Sequence, residues 1–291
     1  MFAEEWALMM FTLLLQLGIG SFIMLVVIRA ILGKKDRESA VRITNKGLIA
    51  LGPVAGLGLI LSLFHLGDPL GAYRAMINLG SSWLSWEIVL SGGFFVLLLA
   101  VIYLFRKGKG NALGWVTAVV GLVAVFAMGS AYASSVKPAW SSLNTYIEFY
   151  GTTLVFGAAG AISLMVYGLK GDAMPAEIHR LLKKICWVGL AGVILPLIYL
   201  PIYISGLNGG AEAAQASAQL LTGSYLIQLI LHVVFSALGL GAAACFLYKQ
   251  GGEKGLKIPA STVYLALALI LAGEFLGRYV FYAAAVTTMI G

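Results

Sequence analysis

The sequence predicts an all-α polytopic membrane protein, a bundle of eight transmembrane helices with both termini outside. Three observations carry this expectation. The chain of 291 residues is 60% hydrophobic and only 11% charged, against about 25% charged in ordinary soluble domains. Its apolar stretches are long enough to cross a bilayer, which takes roughly 20 residues each. Its basic residues fall almost entirely in alternate connections.

The first span covers residues 7–32 and follows the leader MFAEEW. That leader is acidic, and no small-residue cleavage pattern follows, so the segment reads as a retained helix and not as a secretion signal. The second span, 47–66, has no charge between Lys46 and His65, and the third, 87–105, none between Glu87 and Arg106. The fourth and fifth are 112–135 and 146–168. The sixth, 185–206, sits in the uncharged run between Lys184 and Glu212. The seventh and eighth are 220–247 and 260–286. Backbone groups in hydrocarbon must bond within the segment, and these runs are too long and too evenly apolar for barrel strands, so helices are predicted. No connection leaves room for a soluble domain, and residues 1–291 read as a single integral membrane domain without an internal repeat.

Orientation follows from Lys and Arg. Sixteen of the nineteen lie in the connections after the first, third, fifth and seventh spans or, as Arg29, in the last turn before them; the other three are Arg74, Lys137 and Arg278. The positive-inside rule places the sixteen in the cytoplasm. The net charge of +7 is thus a topology signal, and no clustered basic face for nucleic acid is seen. Cys186 and Cys245 fall at cytoplasmic helix ends, where a disulfide is not expected, and two thiols cannot hold an iron–sulfur cluster. Packing is their predicted role. The outward connections carry Trp83, Trp86, Trp140, Tyr146 and Tyr150, residues suited to headgroup depth. The third of them, NGGAEAAQASAQ, is expected to form a short helix or a mobile cap. Small residues within the spans (GPVAGLG, GAAGA, ALGLGAAA) suit close helix packing.

Ionisable side chains within membrane spans are costly and concentrate where there is function. Here they are His65, Glu87, Glu148, His232, Glu274 and Arg278. On the predicted topology five lie toward the outer leaflet and His232 lies near the midplane. An imidazole beside a carboxylate can take up and pass on protons near neutral pH. Oxidation of a lipid-soluble quinol needs that chemistry, together with a separate electron acceptor. Simpler readings stand beside it. His65 can end the second helix before Gly67 and Pro69. Glu87 can complement a helix dipole, and Glu148 can cap its helix at the interface. Glu274 and Arg278, four apart, suit an intrahelical ion pair, and His232 suits a hydrogen-bonded core position. Axial haem ligation requires two histidines at one depth. His65 and His232 are expected at different levels and His179 lies in a loop, so no haem is predicted. A secondary transporter using the intramembrane charges, or a purely structural anchor, remains an alternative. The transporter would call for broken helices and a repeat.

The motifs HLGDPLGAY (65–73), LSWEI (84–88) and LAGEFLGRYVFY (271–282) resemble those of the membrane-anchor subunit of the dimethyl sulfoxide reductase complexes, with a likeness in length and helix count over the whole chain. Asp68 and Trp86 fill the variable positions of the family pattern. The resemblance implies a haem-free, menaquinol-oxidising subunit in the bacterial or archaeal cytoplasmic membrane. It also implies partners at the outer face, an iron–sulfur electron-transfer subunit and a molybdopterin catalytic subunit that reduces dimethyl sulfoxide or a related acceptor. His65 is then the quinol ligand and Glu87 its close companion. Arg74, Glu274 and Arg278 are further candidates for the quinol site.

Overall fold

Helices that span a membrane are held together by close packing and buried hydrogen bonds, because lipid tails are as apolar as the side chains they would replace. The computed structural model describes residues 2–34, 37–65, 78–169, 174–250 and 259–288. All its elements are helical: α1 (Phe2–Leu32), α2 (Arg37–Ser62), a short 3₁₀ turn (Leu63–His65), α3 (Trp83–Arg106), α4 (Asn111–Ala133), α5 (Leu143–Leu169), α6 (Ala176–Asn208), α7 (Glu212–Thr222), α8 (Leu226–Gln250) and α9 (Ser261–Ala283). Eight of the described helices are long and apolar enough to cross a bilayer; α7 is the short one. Consecutive spans pair as α1–α2, α3–α4, α5–α6 and α8–α9, and α1 also packs on α4, α5 and α9. The start of α1, α7 and the end of α9 therefore lie at one end of the bundle, and the ends of α1, α3 and α5 at the other.

The centre is α1 against α5, the two most buried spans. Their backbones touch at Gly20 and Gly157. A Cβ at Gly20 would stand 2.2 Å from the Thr153 carbonyl and 2.9 Å from Gly157 Cα. Large apolar side chains such as Leu57, Val96, Val119, Ile198 and Leu265 point outward. At the basic end Arg29 ties three helices together. It donates to Thr44 Oγ1 (3.2 Å), Asn45 Oδ1 (2.8 Å) and the Phe105 carbonyl (3.2 Å), and lies 3.8 Å over the Phe105 ring.

The helices overrun the predicted limits where backbone bonding continues into the polar interface. α2 begins ten residues before 47, at Arg37, and α6 begins at Ala176, before the lysines taken as its boundary. Trp83 and Trp86, expected in an interfacial connection with some helical character, open α3. The polar third connection, expected as a short helix or a mobile cap, forms the short helix α7. Its apolar side packs with Ala139, Leu207, Val280 and Ala284. The chain turns at Gly223 after α7, so α8 starts at Leu226 rather than at 220. That shift corrects the depth of His232. It is the seventh residue of α8, about 9 Å from the helix start at 1.5 Å per residue, and lies toward the terminal end rather than at the midplane.

Candidate functional site

The residues singled out from sequence divide into two groups at the terminal end of the bundle. The first comprises His65 and Glu87. Arg74 lies outside the described residues, as does the side chain of His65. The backbone of His65 closes the 3₁₀ turn after α2, and its neighbour Phe64 rests against Trp6 of α1, ring centres 6.2 Å apart. Glu87 is the fifth residue of α3. Its side chain is buried, at 4% exposure, and Oε1 has no hydrogen-bond partner. That is an expensive place for a carboxyl unless the site takes a ligand or a proton.

Glu87 lies within electrostatic range of Tyr132 (α4) and Tyr282 (α9), whose hydroxyls hydrogen-bond to each other. The pair sits in an aromatic box. Tyr132 meets Trp140 and Phe281 edge-on at 5.1 and 5.5 Å. Trp140 stacks on Phe281 and donates Nε1–H to the Phe281 carbonyl at 2.8 Å. Glu5 of α1 also falls within electrostatic range of Tyr282.

The second group comprises Glu148, His232, Glu274 and Arg278. The i,i+4 spacing of Glu274 and Arg278 suited an ion pair, but the hydrogen bonds of the two go to other helices. Glu274 accepts from Thr152 Oγ1 of α5 (2.7 Å) and Ser236 Oγ of α8 (2.9 Å). Arg278 donates to Gln16 Oε1 of α1 (2.8 Å) and lies 3.9 Å over the Phe149 ring. Both are buried, at 3% and 4% exposure. A carboxylate in a helical bundle is better served by two short hydroxyl donors on facing helices than by a flexible neighbour on its own surface.

His232 packs where α9 has no side chain. A Cβ at Gly277 would fall 2.7 Å from His232 Nδ1. Nδ1 lies 2.8 Å from the Gly273 carbonyl and 4.0 Å from Glu274 Oε1. A carbonyl only accepts, so Nδ1 carries a hydrogen and Nε2 is left as the exchangeable nitrogen. Glu148 was expected to cap its helix at the interface. It lies instead one full turn and more inside α5, within electrostatic range of His232, Arg278 and Glu274 and hydrogen-bonded to Asn144. Two small cavities meet at Glu148 and His232. One of about 20 Å³ includes Thr152, Gly192, Pro196 and Glu274 in its lining; the other, of about 30 Å³, includes Asn144, Tyr203, Leu221 and Gly277. A larger groove, about 520 Å³, lies elsewhere, between α6 and α8. It is apolar and lined by Cys186, Trp187, Leu240 and Tyr248 among others.

Sequence reasoning missed Gln16, Thr152, Ser236, Tyr132 and Tyr282 as partners in these groups. A lone polar residue at a helical face position, such as Gln16 in an otherwise apolar α1, was the available signal. Arg278 links the two groups, standing within electrostatic range of Tyr132 and Tyr282 on one side and of Glu148 and Glu274 on the other.

Residues 1–284 match the family model described as DMSO reductase anchor subunit (DmsC). The sequence is 30% identical over 288 residues to the C subunit of the anaerobic dimethyl sulfoxide reductase of Escherichia coli strain K12, covering 96% of this protein and 94% of that one. It is 29% identical over 289 residues to the anaerobic dimethyl sulfoxide reductase component YnfH of the same organism, with the same coverage. The C subunit of the Haemophilus influenzae reductase matches at 25% over 283 residues, again 96% and 94%. With the family's description spanning nearly every residue and eight membrane-length helices beneath it, the chain belongs to the family of DMSO reductase anchor subunits.

Proposed function

We propose that this anchor subunit oxidises a membrane quinol, menaquinol by family likeness, and passes its electrons to a docked iron–sulfur subunit. That subunit in turn serves a molybdopterin subunit reducing dimethyl sulfoxide or a related acceptor. The observation that carries the proposal is Glu87, a buried carboxyl with an unpartnered oxygen at the same end of the bundle as His65. In this reading His65 binds a quinol hydroxyl and takes its proton, and Glu87 relays it. The positive-inside rule assigns the basic connections to the cytoplasm, so the termini, α7 and the quinol end face outward in a bacterial or archaeal cytoplasmic membrane. Electrons and protons then leave on one side, and turnover by itself builds no proton gradient.

The test uses the assembled complex in its membrane. His65→Phe and Glu87→Gln are expected to slow quinol oxidation by about 100-fold or more, the scale of a lost general base. The partner subunits stay membrane-bound. Unchanged turnover in His65→Phe overturns the assignment.

A further inference from the structure

The second buried group has a chemistry of its own, and the geometry points to a proton-binding site formed by Glu148, His232 and Glu274, which accommodates the second of the two protons a quinol gives up. Four helices build it. Glu148 comes from α5, His232 from α8, Glu274 and Arg278 from α9, and Tyr203 faces Glu148 from α6. Gln16 of α1 closes the side behind Arg278.

Two carboxyls and one imidazole face a single guanidinium. One proton shared among the three leaves the group without net charge, and surroundings of low polarity favour that condition. The proton has several places to rest. His232 presents Nε2 on the side away from the Gly273 carbonyl, and Glu148 takes a side-chain bond from Asn144. Asn144 is itself 4% exposed, with Oδ1 unpartnered. Glu274, held by two hydroxyls, is the more constrained anion.

The site is also built to hold water. Pro196 has no N–H, so the Gly192 carbonyl four residues earlier lacks its helical amide donor. Gly192 and Pro196 both line the smaller cavity with Glu148, His232 and Glu274. Pro201 frees Leu197 in the same way, and Leu197 lines that cavity too. A water needs about 10–15 Å³ for its centre and two to four polar partners. At about 20 and 30 Å³ the two cavities each take one or two. The larger also borders Asn144, Tyr203, Leu221 of α7 and Ala284, on the side of the terminal end. Among the described residues no three His, Cys, Asp or Glu side chains are arranged to hold a metal ion.

Resting on the quinol reading above, the step balances as follows. Quinol becomes quinone; two electrons go to the partner's iron–sulfur centre; one proton resides at the His65–Glu87 end and the other in this site. Both then pass to outer water. Arg278, between the Tyr132–Tyr282 pair and the carboxyls, holds the negative charge left when the proton leaves.

Dicyclohexylcarbodiimide, which adds to protonated carboxyls in apolar surroundings, tests the site in the assembled complex in liposomes. Mass spectrometry is expected to find Glu148 or Glu274 labelled, with labelling lost in the Glu148→Gln, Glu274→Gln double variant. No label on either peptide of the unaltered complex overturns the site. For its role, Glu148→Gln is expected to lower the turnover number for quinol oxidation about 10-fold or more and to alter its pH profile. Binding of a fluorescent quinol-site inhibitor stays unchanged, and Glu148→Asp restores most of the rate. Full activity with an unchanged pH profile in Glu148→Gln overturns the role. If His65→Phe retains full quinol oxidation, the quinol reading falls and this role with it, whereas carbodiimide labelling at Glu148 or Glu274 still upholds the proton site.

Discussion

Gly277→Ala is a one-methyl perturbation whose consequence can be worked out from the packing of α8 on α9. The new Cβ would stand 2.7, 2.8 and 2.9 Å from Nδ1, Cε1 and Cγ of His232. Ordinary contact needs about 3.5–4.0 Å, so the ring must retreat by close to 1 Å. Its bond to the Gly273 carbonyl, now 2.8 Å, then passes beyond hydrogen-bonding distance. Losing that bond in a membrane interior costs about 0.6–1.7 kcal/mol. Overpacking adds about 1–3 kcal/mol. The expected destabilisation is therefore about 2–5 kcal/mol, read by reversible unfolding of the reconstituted protein in mixed micelles. His232→Ala removes the ring that clashes, so the double variant is expected to recover most of the overpacking cost in a double-mutant cycle. A Gly277→Ala loss below about 0.5 kcal/mol, or no coupling to His232→Ala, would refute this account of the contact.

Three further outcomes follow from the same reasoning. Gly20→Val places a side chain against the Thr153 carbonyl and Gly157; it is expected to part α1 from α5 at a cost of about 3 kcal/mol or more, seen as loss of folded protein on size exclusion. Arg29→Gln removes most of the hydrogen bonding and the ring contact at the basic end. It should cost about 2–3 kcal/mol in the unfolding assay while leaving quinol turnover per folded complex intact. Tyr282→Phe deletes the hydroxyl pair with Tyr132, for a loss of about 1 kcal/mol. The Tyr132→Phe, Tyr282→Phe double variant should lose little more than either single change in the same measurement.

The architecture was legible because burial in lipid leaves few options. Every run between charges had to be a helix, and each predicted span has its counterpart. Depth was less legible. The run from 220 to 247 looks continuous in hydropathy, yet Gly223 breaks it, and the later helix start moved His232 from the centre of the membrane to the level of Glu148. Partnership was the least legible. Spacing along one helix suggests that Glu274 meets Arg278, but Thr152, Ser236 and Gln16 come from helices far off in sequence. No periodicity within a span reveals which face meets which neighbour. Glu87 illustrates the opposite case: its position near a helix start suited a dipole role, and only its burial with an unpartnered oxygen separates it from an ordinary cap.

The bond between Gln16 and Arg278 joins positions 262 residues apart, and it has a consequence for biogenesis. At about 5–20 residues per second, α1 leaves the ribosome roughly 13–50 s before the arginine that its glutamine receives. Through that interval the Gln16 side-chain carbonyl is without the guanidinium that it later accepts from. A nascent polypeptide halted before its last helix would leave that carbonyl without its donor, so the bond between the first and last spans forms only once α9 has been made.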